Sequence, residues 1–256
     1  MLLAIDIGNT HTVIGVFEGK RLVRDWRLVS ANHRTVDESW LTIRSFCSDA
    51  GIDPAAITTV GIASVVSDLT GIFESLARKY FHCDPVTVNA SLDLGFRVLY
   101  KDPMTVGADR LCNAVAGYAR YGGPLVIIDF GTATTYDVVA ANGDYLGGVI
   151  ALGLESTAAE LHRRTAKLPK IELQFPPRII GTETVPSMQA GVMFGTVDAV
   201  EGIIARIRRE LGTPARVIAT GGLASLIAGR IAVIEAVEPS LVLDGIRMIV
   251  DRMSRR

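Results

Sequence analysis

The chain has 256 residues, a formal net charge of −1 and 49% apolar residues. This composition excludes an intrinsically disordered chain and provides no bulk positive charge for nucleic-acid binding. The three cysteines, Cys47, Cys83 and Cys112, are too few and too far apart for a disulfide framework or a zinc site. The sequence shows no signal peptide and no apolar stretch of 18 residues, so we expect a cytoplasmic protein without a membrane partner.

The first half of the chain alternates short apolar runs with helical patterns. Thr35 and Glu38 have the spacing of a capping box, in which each side chain bonds the other residue's backbone amide. This pair predicts the start of a helix that Gly51 ends. In chain order, we expect strands at 2–6, 12–17, 21–28, 57–65 and 86–88 and helices at 35–50, 67–81 and 106–121.

The second half repeats this alternation. Asn142-Gly143 is the strongest hairpin signal in the chain, and four prolines and glycines within 168–185 predict a loop. An apolar stripe along 187–211 fits either a core helix or a dimer contact. In chain order, we expect strands at 125–129, 133–140, 216–219 and 231–237, and helices at 154–167, 187–211, just after Gly222, and 241–253.

One motif occurs twice. Asp6–Thr10 (DIGNT) ends an apolar strand and enters a hairpin, and Asp129–Thr135 (DFGTATT) does the same 123 residues later. An offset of about half the chain indicates an internal duplication. We therefore predict an α/β fold of two domains, residues 1–121 and 122–256, each with a central mixed sheet flanked by helices.

The paired turns have the chemistry of a phosphate site. Glycine at positions 8 and 131 allows close approach of a ligand, and convergent turn amides bind anions. An aspartate beside phosphates requires a cation between them, so two such turns predict a nucleoside triphosphate with Mg²⁺. The alternative is a pair of strand-ending turns with solvated aspartates. Neither a P-loop nor a G-x-G-x-x-G motif is present, which argues against P-loop kinases and dinucleotide oxidoreductases.

Three further motifs complete a family pattern. They are Asp102–Arg110, which contains Gly-Ala-Asp-Arg, then Gly181–Gly191, and Thr220-Gly221-Gly222, where an adenosine could lie against the backbone. With the two turns, they make the whole chain resemble the type III pantothenate kinases of the actin-like, sugar-kinase and Hsp70 ATPase superfamily. The resemblance implies a duplicated actin-like (ribonuclease H-like) fold. It also implies ATP-dependent conversion of pantothenate to 4′-phosphopantothenate, the first step of coenzyme A synthesis, by a homodimer.

The resemblance also implies roles for matching residues. Asp109 would be the general base, and Asp129 would hold a monovalent cation, potassium or ammonium. The residues expected to hold the phosphates of ATP are Asp6, Ile7, Gly8, Asn9, Thr10, His11, Thr12, Val13 and Thr132. The residues expected to contact pantothenate are Tyr100, Gly107, Ala108, Asp109, Arg110 and Thr184.

These roles agree with elementary chemistry. Phosphorylation of a hydroxyl needs a proton acceptor within hydrogen-bond reach, which Asp109 can supply. Its place near the start of a predicted helix puts it beside amides that can hold an anion, and Arg110 can pair with a carboxylate or a phosphate. Most of the catalysis would be positioning and charge neutralisation.

Two alternatives stay open at this level. Another small-molecule kinase, for sugars or acetate, can share the fold, although the Gly107–Arg110 tetrapeptide favours pantothenate. A non-catalytic accessory protein of transcription is the second. The intact Asp6, Asp109 and Asp129 argue against lost catalysis, and the lack of a basic face argues against DNA binding.

Overall fold

Two five-stranded sheets and their helices make up the computed structural model, which describes residues 1–31 and 33–254. The strands are β1 (Leu2–Ile7), β2 (His11–Glu18), β3 (Arg21–Val29), β4 (Thr59–Ser64), β5 (Val86–Thr87), β6 (Leu125–Phe130), β7 (Ala133–Val139), β8 (Tyr145–Leu152), β9 (Arg216–Thr220) and β10 (Ala236–Val237). The helices are α1 (Val36–Asp49), α2 (Ser67–Tyr80), α3 (Ala108–Tyr121), α4 (Leu154–Arg164), α5 (Thr184–Leu211), α6 (Ala224–Ile227) and α7 (Leu241–Met253). Short 3-10 turns occupy Pro54–Ala56, Pro103–Thr105 and Ala228–Arg230.

The predicted capping box is confirmed at the start of α1. The Glu38 amide donates to the Thr35 hydroxyl at 3.2 Å, and the Thr35 amide donates to the Glu38 carboxylate at 2.8 Å. Two amides that the first turn of a helix leaves without partners are thereby satisfied. Local chemistry therefore determines where this helix begins.

The first sheet has the strand order β3-β2-β1-β4-β5. The pairs β1–β2 and β2–β3 are antiparallel, whereas β1–β4 and β4–β5 are parallel. Its core holds Ile5 and Ile62 from the strands, Ile43 from α1 and Phe73 from α2. The helix α7 also packs on this sheet, against β1 and β4.

The second sheet repeats the topology of the first. Its order is β10-β9-β6-β7-β8, with β6–β7 and β7–β8 antiparallel and β6–β9 and β9–β10 parallel. The Asp-x-Gly aspartates occupy equivalent places, because Asp6 pairs with Val13 and Asp129 pairs with Thr135. The predicted duplicated α/β architecture is thus confirmed.

The apolar stripe of α5 is part of the core. Val192, Val197, Val200 and Ile204 are buried among the residues that pack on the second sheet. The ring of Phe194 is half-buried and lies edge-on to Phe175, with centroids 5.3 Å apart. Of the two predicted uses of this stripe, these side chains serve core packing.

The predicted strand at 231–237 is wrong over most of its length. Only Ala236–Val237 pairs with β9. The preceding residues form a turn, in which the Ile234 amide donates to the Ile231 carbonyl at 3.2 Å. Ile231 is buried in the core that packs on the second sheet. It is therefore apolar because its side chain packs in this core, and not because its backbone pairs in a strand.

The chain divides into two compact units that differ from the predicted domain boundary at 121/122. Residues 117–239 form the second unit, and the described residues on either side of them form the first. The helix α7 groups with the first unit because Ile246 and Val250 pack on Gly61 of β4.

None of the helices in the described ranges is both long and apolar enough to cross a membrane.

Gly61 permits the close approach of α7. A Cβ atom at this position would lie 2.5 Å from Cγ2 of Ile246 and 2.7 Å from Cγ2 of Val250, well inside contact distance. Both neighbours are buried, so they have little room to move. The absence of a side chain at Gly61 is therefore required for α7 to pack this closely on the first sheet.

We expect Gly61→Ala to destabilise the protein by about 1–3 kcal/mol through overpacking. The matched control is Gly71→Ala in the exposed part of α2, where a Cβ atom meets nothing within 4 Å. This control gains helix propensity, by up to about 1 kcal/mol. Thermal unfolding followed by circular dichroism gives the two Tm shifts, and a Gly61→Ala Tm equal to or above that of the parent protein would contradict the packing argument.

Candidate functional site

A tight turn follows β1. Gly8 donates its amide to the His11 carbonyl at 3.0 Å, which closes the turn between β1 and β2. Asn9 and Thr10 are exposed at its tip, and His11 is half-buried. The tip therefore offers polar side chains and backbone to a ligand.

Three other residues predicted to bind phosphate, Ile7, Thr12 and Val13, have side chains that are buried or half-buried and do not lie at the exposed tip. Ile7 is fully buried in the core of the first unit. Thr12 is only 2% exposed, and its hydroxyl lies 2.9 Å from that of Ser30. Val13 is half-buried within β2. These residues shape the turn, and any contact that they make with a nucleotide would use backbone atoms.

Ser30 is a residue of this site that the sequence reasoning missed. Its hydroxyl donates to the Gly8 carbonyl at 2.6 Å, and its amide donates to the Thr10 carbonyl at 2.9 Å. The register of the second hairpin could have found it, because His11 pairs with Val29 and the next residue then faces Thr10. The predicted strands locate the β2–β3 turn, but the pairing shifts between Val16 and Phe17, and the sequence does not show this irregularity.

Asp109 lies in the first turn of α3. The Arg110 amide donates to its Oδ1 at 2.8 Å, and the Leu111 amide donates to the Gly107 carbonyl at 3.2 Å. Gly107 is next to Val65, which follows β4, and a Cβ atom there would lie 3.4 Å from Cγ1 of Val65. Parallel pairing places the ends of β1 and β4 at one edge of the sheet. The start of α3 therefore lies at the same edge as the turn after β1.

Gly107 also determines where the carboxylate lies. A Cβ atom at this position would be 2.4 Å from Oδ1 of Asp109. A carboxylate oxygen and a methyl group cannot occupy that distance. The absence of a side chain at Gly107 is thus a condition for the observed position of Asp109.

Burial raises the pKa of the Asp109 carboxyl above the usual value of 3.8. The amide and the positive charge of Arg110 act in the opposite direction, and burial has the larger effect. The side chain of Arg110 is itself buried. A carboxylate made more basic in this way is a better proton acceptor.

Strand pairing places Asp6 and Asp109 at the same edge of the first sheet. Asp6 is the penultimate residue of β1, and the start of α3, which holds Asp109, packs on Val65 directly after the neighbouring β4. Burial raises the pKa of the Cys112 thiol in α3 well above its usual range, and the negative charges of Asp6 and Asp109 act in the same direction. Two predicted site residues, 103 positions apart in sequence, thus lie at one edge of this sheet.

Two other residues predicted to contact pantothenate, Tyr100 and Ala108, differ in exposure. Tyr100 is exposed in the segment before the 3-10 turn Pro103–Thr105. Ala108, the first residue of α3, is buried.

The second unit has its own turn, after β6. The Gly131 amide donates to the Ala133 carbonyl at 3.1 Å, much as Gly8 does to His11. The Thr132 carbonyl accepts from the Gly153 amide at 3.2 Å and from the Ser156 hydroxyl at 2.8 Å. This turn is therefore held by the start of α4.

Asp129 lies beside the Thr220-Gly221-Gly222 motif. Gly221 has φ +91°, and a Cβ atom there would lie 2.3 Å from Oδ1 of Asp129. The Leu223 amide donates to the Phe130 carbonyl at 3.2 Å. The second turn and the third glycine motif thus form one surface at the end of β6 and β9.

Thr184 is the first residue of α5 and lines a cavity of about 630 Å³. Gly181, Ser187, Met188 and Leu161 line it too. This volume is in the range of small-molecule sites. The Gly181–Gly191 motif is therefore placed around a cavity of the second unit.

Within residues 1–31 and 33–254, no three His, Cys, Asp or Glu side chains form a metal cluster.

Comparison with known proteins decides the family. The family model described as type III pantothenate kinase matches residues 2–206. The chain belongs to this family. A type III pantothenate kinase of Roseiflexus castenholzii is 47% identical over 249 residues, which cover 97% of this chain and 98% of the relative.

Solved structures share the fold at low identity. A Campylobacter jejuni protein, whose structure was described as that of a conserved Baf family transcriptional activator, has a TM-score of 0.63 and 18% identity over 99% of this chain and 100% of its own. The ROK hexokinase of Thermus thermophilus has a TM-score of 0.58 and 12% identity over 100% and 99%. These likenesses show the two-domain actin-like and sugar-kinase architecture alone.

Proposed function

We propose that the chain transfers the γ-phosphoryl group of ATP to the primary hydroxyl of pantothenate, giving 4′-phosphopantothenate and ADP. This is the first step of coenzyme A biosynthesis. The observation that carries the proposal within this family is that the start of α3, which holds Asp109, lies at the same edge of the first sheet as the turn after β1. This placement supports a basic carboxylate near the turn proposed to hold phosphates.

The turn after β1 is the proposed phosphate site, with Asp6 to Val13 joined by Thr132. Backbone amides at a glycine turn bind phosphate oxygens, and Mg²⁺ enters with ATP because Asp6 beside bare phosphates would be repulsive. The Thr220-Gly221-Gly222 motif is the proposed adenosine surface. Its glycines leave the backbone open to a flat ring.

Asp109 is the proposed general base, and Tyr100, Gly107, Ala108, Arg110 and Thr184 are the proposed pantothenate contacts. The Asp109 carboxylate accepts the proton of the attacking hydroxyl while positioning and charge neutralisation supply the rest of the catalysis. Arg110 supplies the positive charge for an anionic group of the substrate. The 630 Å³ cavity at Thr184 supports its inclusion.

Asp129 is the proposed ligand of a monovalent cation, potassium or ammonium. The chemistry of this side chain fits such an ion, because hard cations take oxygen ligands. The Asp129 carboxylate lies against Gly221, where a Cβ atom would be 2.3 Å from its Oδ1. The bound cation would supply positive charge next to the phosphates. Asp129 itself would hold it in place at the end of β6.

A homodimer is the proposed assembly, through β8. This strand is at the edge of the second sheet, and Leu146, Val149, Ile150 and Leu152 project exposed apolar side chains from it. A long apolar edge strand is a template for pairing with another chain.

The cytoplasm is the proposed compartment, since Cys47, Cys83 and Cys112 are free thiols.

The test is an assay of purified protein with ATP, Mg²⁺, potassium and pantothenate. We expect ADP release that depends on pantothenate, and its absence would refute the proposal. A panel of sugars and acetate separates pantothenate from the substrates of other kinases with this fold. Salt-dependent binding to DNA would instead favour the accessory protein of transcription.

We expect Asp109→Asn to lower kcat by about 10²–10⁴-fold and to leave ATP binding unchanged, because the proton acceptor is lost. Because burial raises the pKa of Asp109, the acid limb of kcat/KM should lie at higher pH than an ordinary aspartate gives. As pH falls through that pKa, the base becomes protonated and activity is lost. Steady-state kinetics across pH check both points, with the exposed Asp25→Asn as control. Near-normal turnover in Asp109→Asn would rule out this role.

Replacing potassium with sodium should lower the rate of the parent protein. Asp129→Asn should lose this dependence, because the ligand that distinguishes the ions is weakened. Initial rates at fixed ionic strength measure the effect, and the exposed Asp198→Asn in the same unit is the control. Equal rates with both ions would remove the assignment.

Sedimentation equilibrium should give twice the chain mass of 27.4 kDa. Ile150→Lys should shift the protein to monomer, because Ile150 is 63% exposed on the edge strand and a charge there opposes burial. Leu226→Lys, on the exposed side of α6, is the matched control and should leave the mass unchanged. A parent protein that is monomeric would contradict the assembly.

A further inference from the structure

Ser30 lies outside the turn after β1 and holds two residues of that turn, Gly8 and Thr10, while it also contacts Thr12 of β2. The Ser30 hydroxyl donates to the Gly8 carbonyl at 2.6 Å. The Ser30 amide donates to the Thr10 carbonyl at 2.9 Å. The Thr12 hydroxyl is 2.9 Å from Ser30 Oγ, and it must be the donor because the one hydroxyl proton of Ser30 is used toward Gly8.

These bonds determine the directions of backbone amides. A peptide unit is planar, and its C=O and N–H point in opposite directions. When Ser30 holds the Gly8 carbonyl, the Asn9 amide is directed to the opposite side. When it holds the Thr10 carbonyl, the His11 amide is likewise fixed. The Asn9 and His11 amides, on either side of Thr10, are thus oriented before any ligand binds.

The hydroxyl bonds are also protected from water. Thr12 is 2% exposed, and Ser30 is half-buried. Removing the Ser30 hydroxyl would leave the Thr12 donor buried without its partner, which costs more than the loss of an exposed hydrogen bond. The turn would then relax to give the Thr12 hydroxyl another acceptor.

The second unit holds its turn in a similar way. Gly153 directly follows β8 as Ser30 directly follows β3, and its amide donates to the Thr132 carbonyl at 3.2 Å, as the Ser30 amide donates to the Thr10 carbonyl. The Ser156 hydroxyl, in the first turn of α4, donates to the same Thr132 carbonyl at 2.8 Å. In both units, residues beyond the third strand therefore hold a carbonyl of the Asp-x-Gly turn, and the bond from a side-chain hydroxyl to the glycine carbonyl is made by Ser30 in the first unit.

We propose that Ser30 is a positioning residue for the nucleotide phosphates. It acts through the Gly8–Asn9 and Thr10–His11 peptide units and does not touch the reacting atoms. This inference rests on the proposed function, because it takes the turn after β1 as the phosphate site. It predicts an effect on the binding of ATP and not on the binding of pantothenate.

The experiment compares Ser30→Ala with Ser30→Thr, which keeps the hydroxyl. We expect Ser30→Ala to raise the KM for ATP and the Kd for a non-hydrolysable ATP analogue about tenfold, with the KM for pantothenate within about twofold of the parent value. Ser30→Thr should restore both ATP values to within about threefold. Ser39→Ala is the matched control, since it removes a buried hydroxyl that donates to the carbonyl of Thr35, the residue before α1, at 3.0 Å.

Calorimetric titration with the analogue and Mg²⁺ separates this inference from the proposed function. If the parent protein binds the analogue but shows no pantothenate-dependent ADP release, the proposed function fails and the binding arm still tests Ser30. Unchanged analogue affinity in Ser30→Ala would overturn the inference, as would equal losses in Ser30→Ala and Ser39→Ala. If Ser30→Ala does not fold, Ser30→Cys is used, whose weak thiol donor should give an intermediate Kd; a Kd equal to that of the parent would overturn it.

Discussion

The parallel pairing of β1 with β4 is the constraint on which the rest of the first unit depends. It aligns the carboxyl ends of two buried strands, so that the turn after Ile7 and the residues after Ser64 meet at one edge of the sheet. Gly107 packs on Val65 at this edge and brings Asp109 with it. The second unit repeats the arrangement with β6 and β9, where Asp129 pairs with Thr220. Both halves of the chain therefore place an aspartate at the end of a buried strand, which is where α/β proteins generally bind ligands.

Close backbone approach sets the positions of the two carboxylates at these edges, and burial raises the pKa of Asp109. The missing side chains of Gly107 and Gly221 let the carboxylates of Asp109 and Asp129 lie against neighbouring backbone. Burial raises the pKa of Asp109, although Arg110 opposes this effect, so the carboxyl is a stronger base than one in water. Burial likewise raises the pKa of the Cys112 thiol, three residues further along α3. Catalysis by orientation and charge needs such fixed groups more than it needs reactive side chains.

Hydrogen bonds from outside the turns keep the backbone in place. Ser30 supports the turn after β1, and Gly153 and Ser156 support the turn after β6. Turns at strand ends are otherwise among the least constrained parts of a fold. Because Ser30 directly follows β3 and Ser156 lies in the first turn of α4, both serines are held by regular elements and restrict the motion of the turns that they support.

The sequence by itself determined the features that depend on neighbours in the chain. The capping box at Thr35, the hairpin turns and the duplicated Asp-x-Gly motif follow from local chemistry and could be predicted, and the family motifs were recognised by resemblance. Tertiary structure alone decided that α7 packs on Gly61 of the first sheet, that Ile231 is buried in a turn, and that Thr12 bonds Ser30 rather than facing outward. Each of these depends on residues far apart in sequence, and side-chain volume and hydrogen-bond geometry at such contacts leave no periodic signal in the chain.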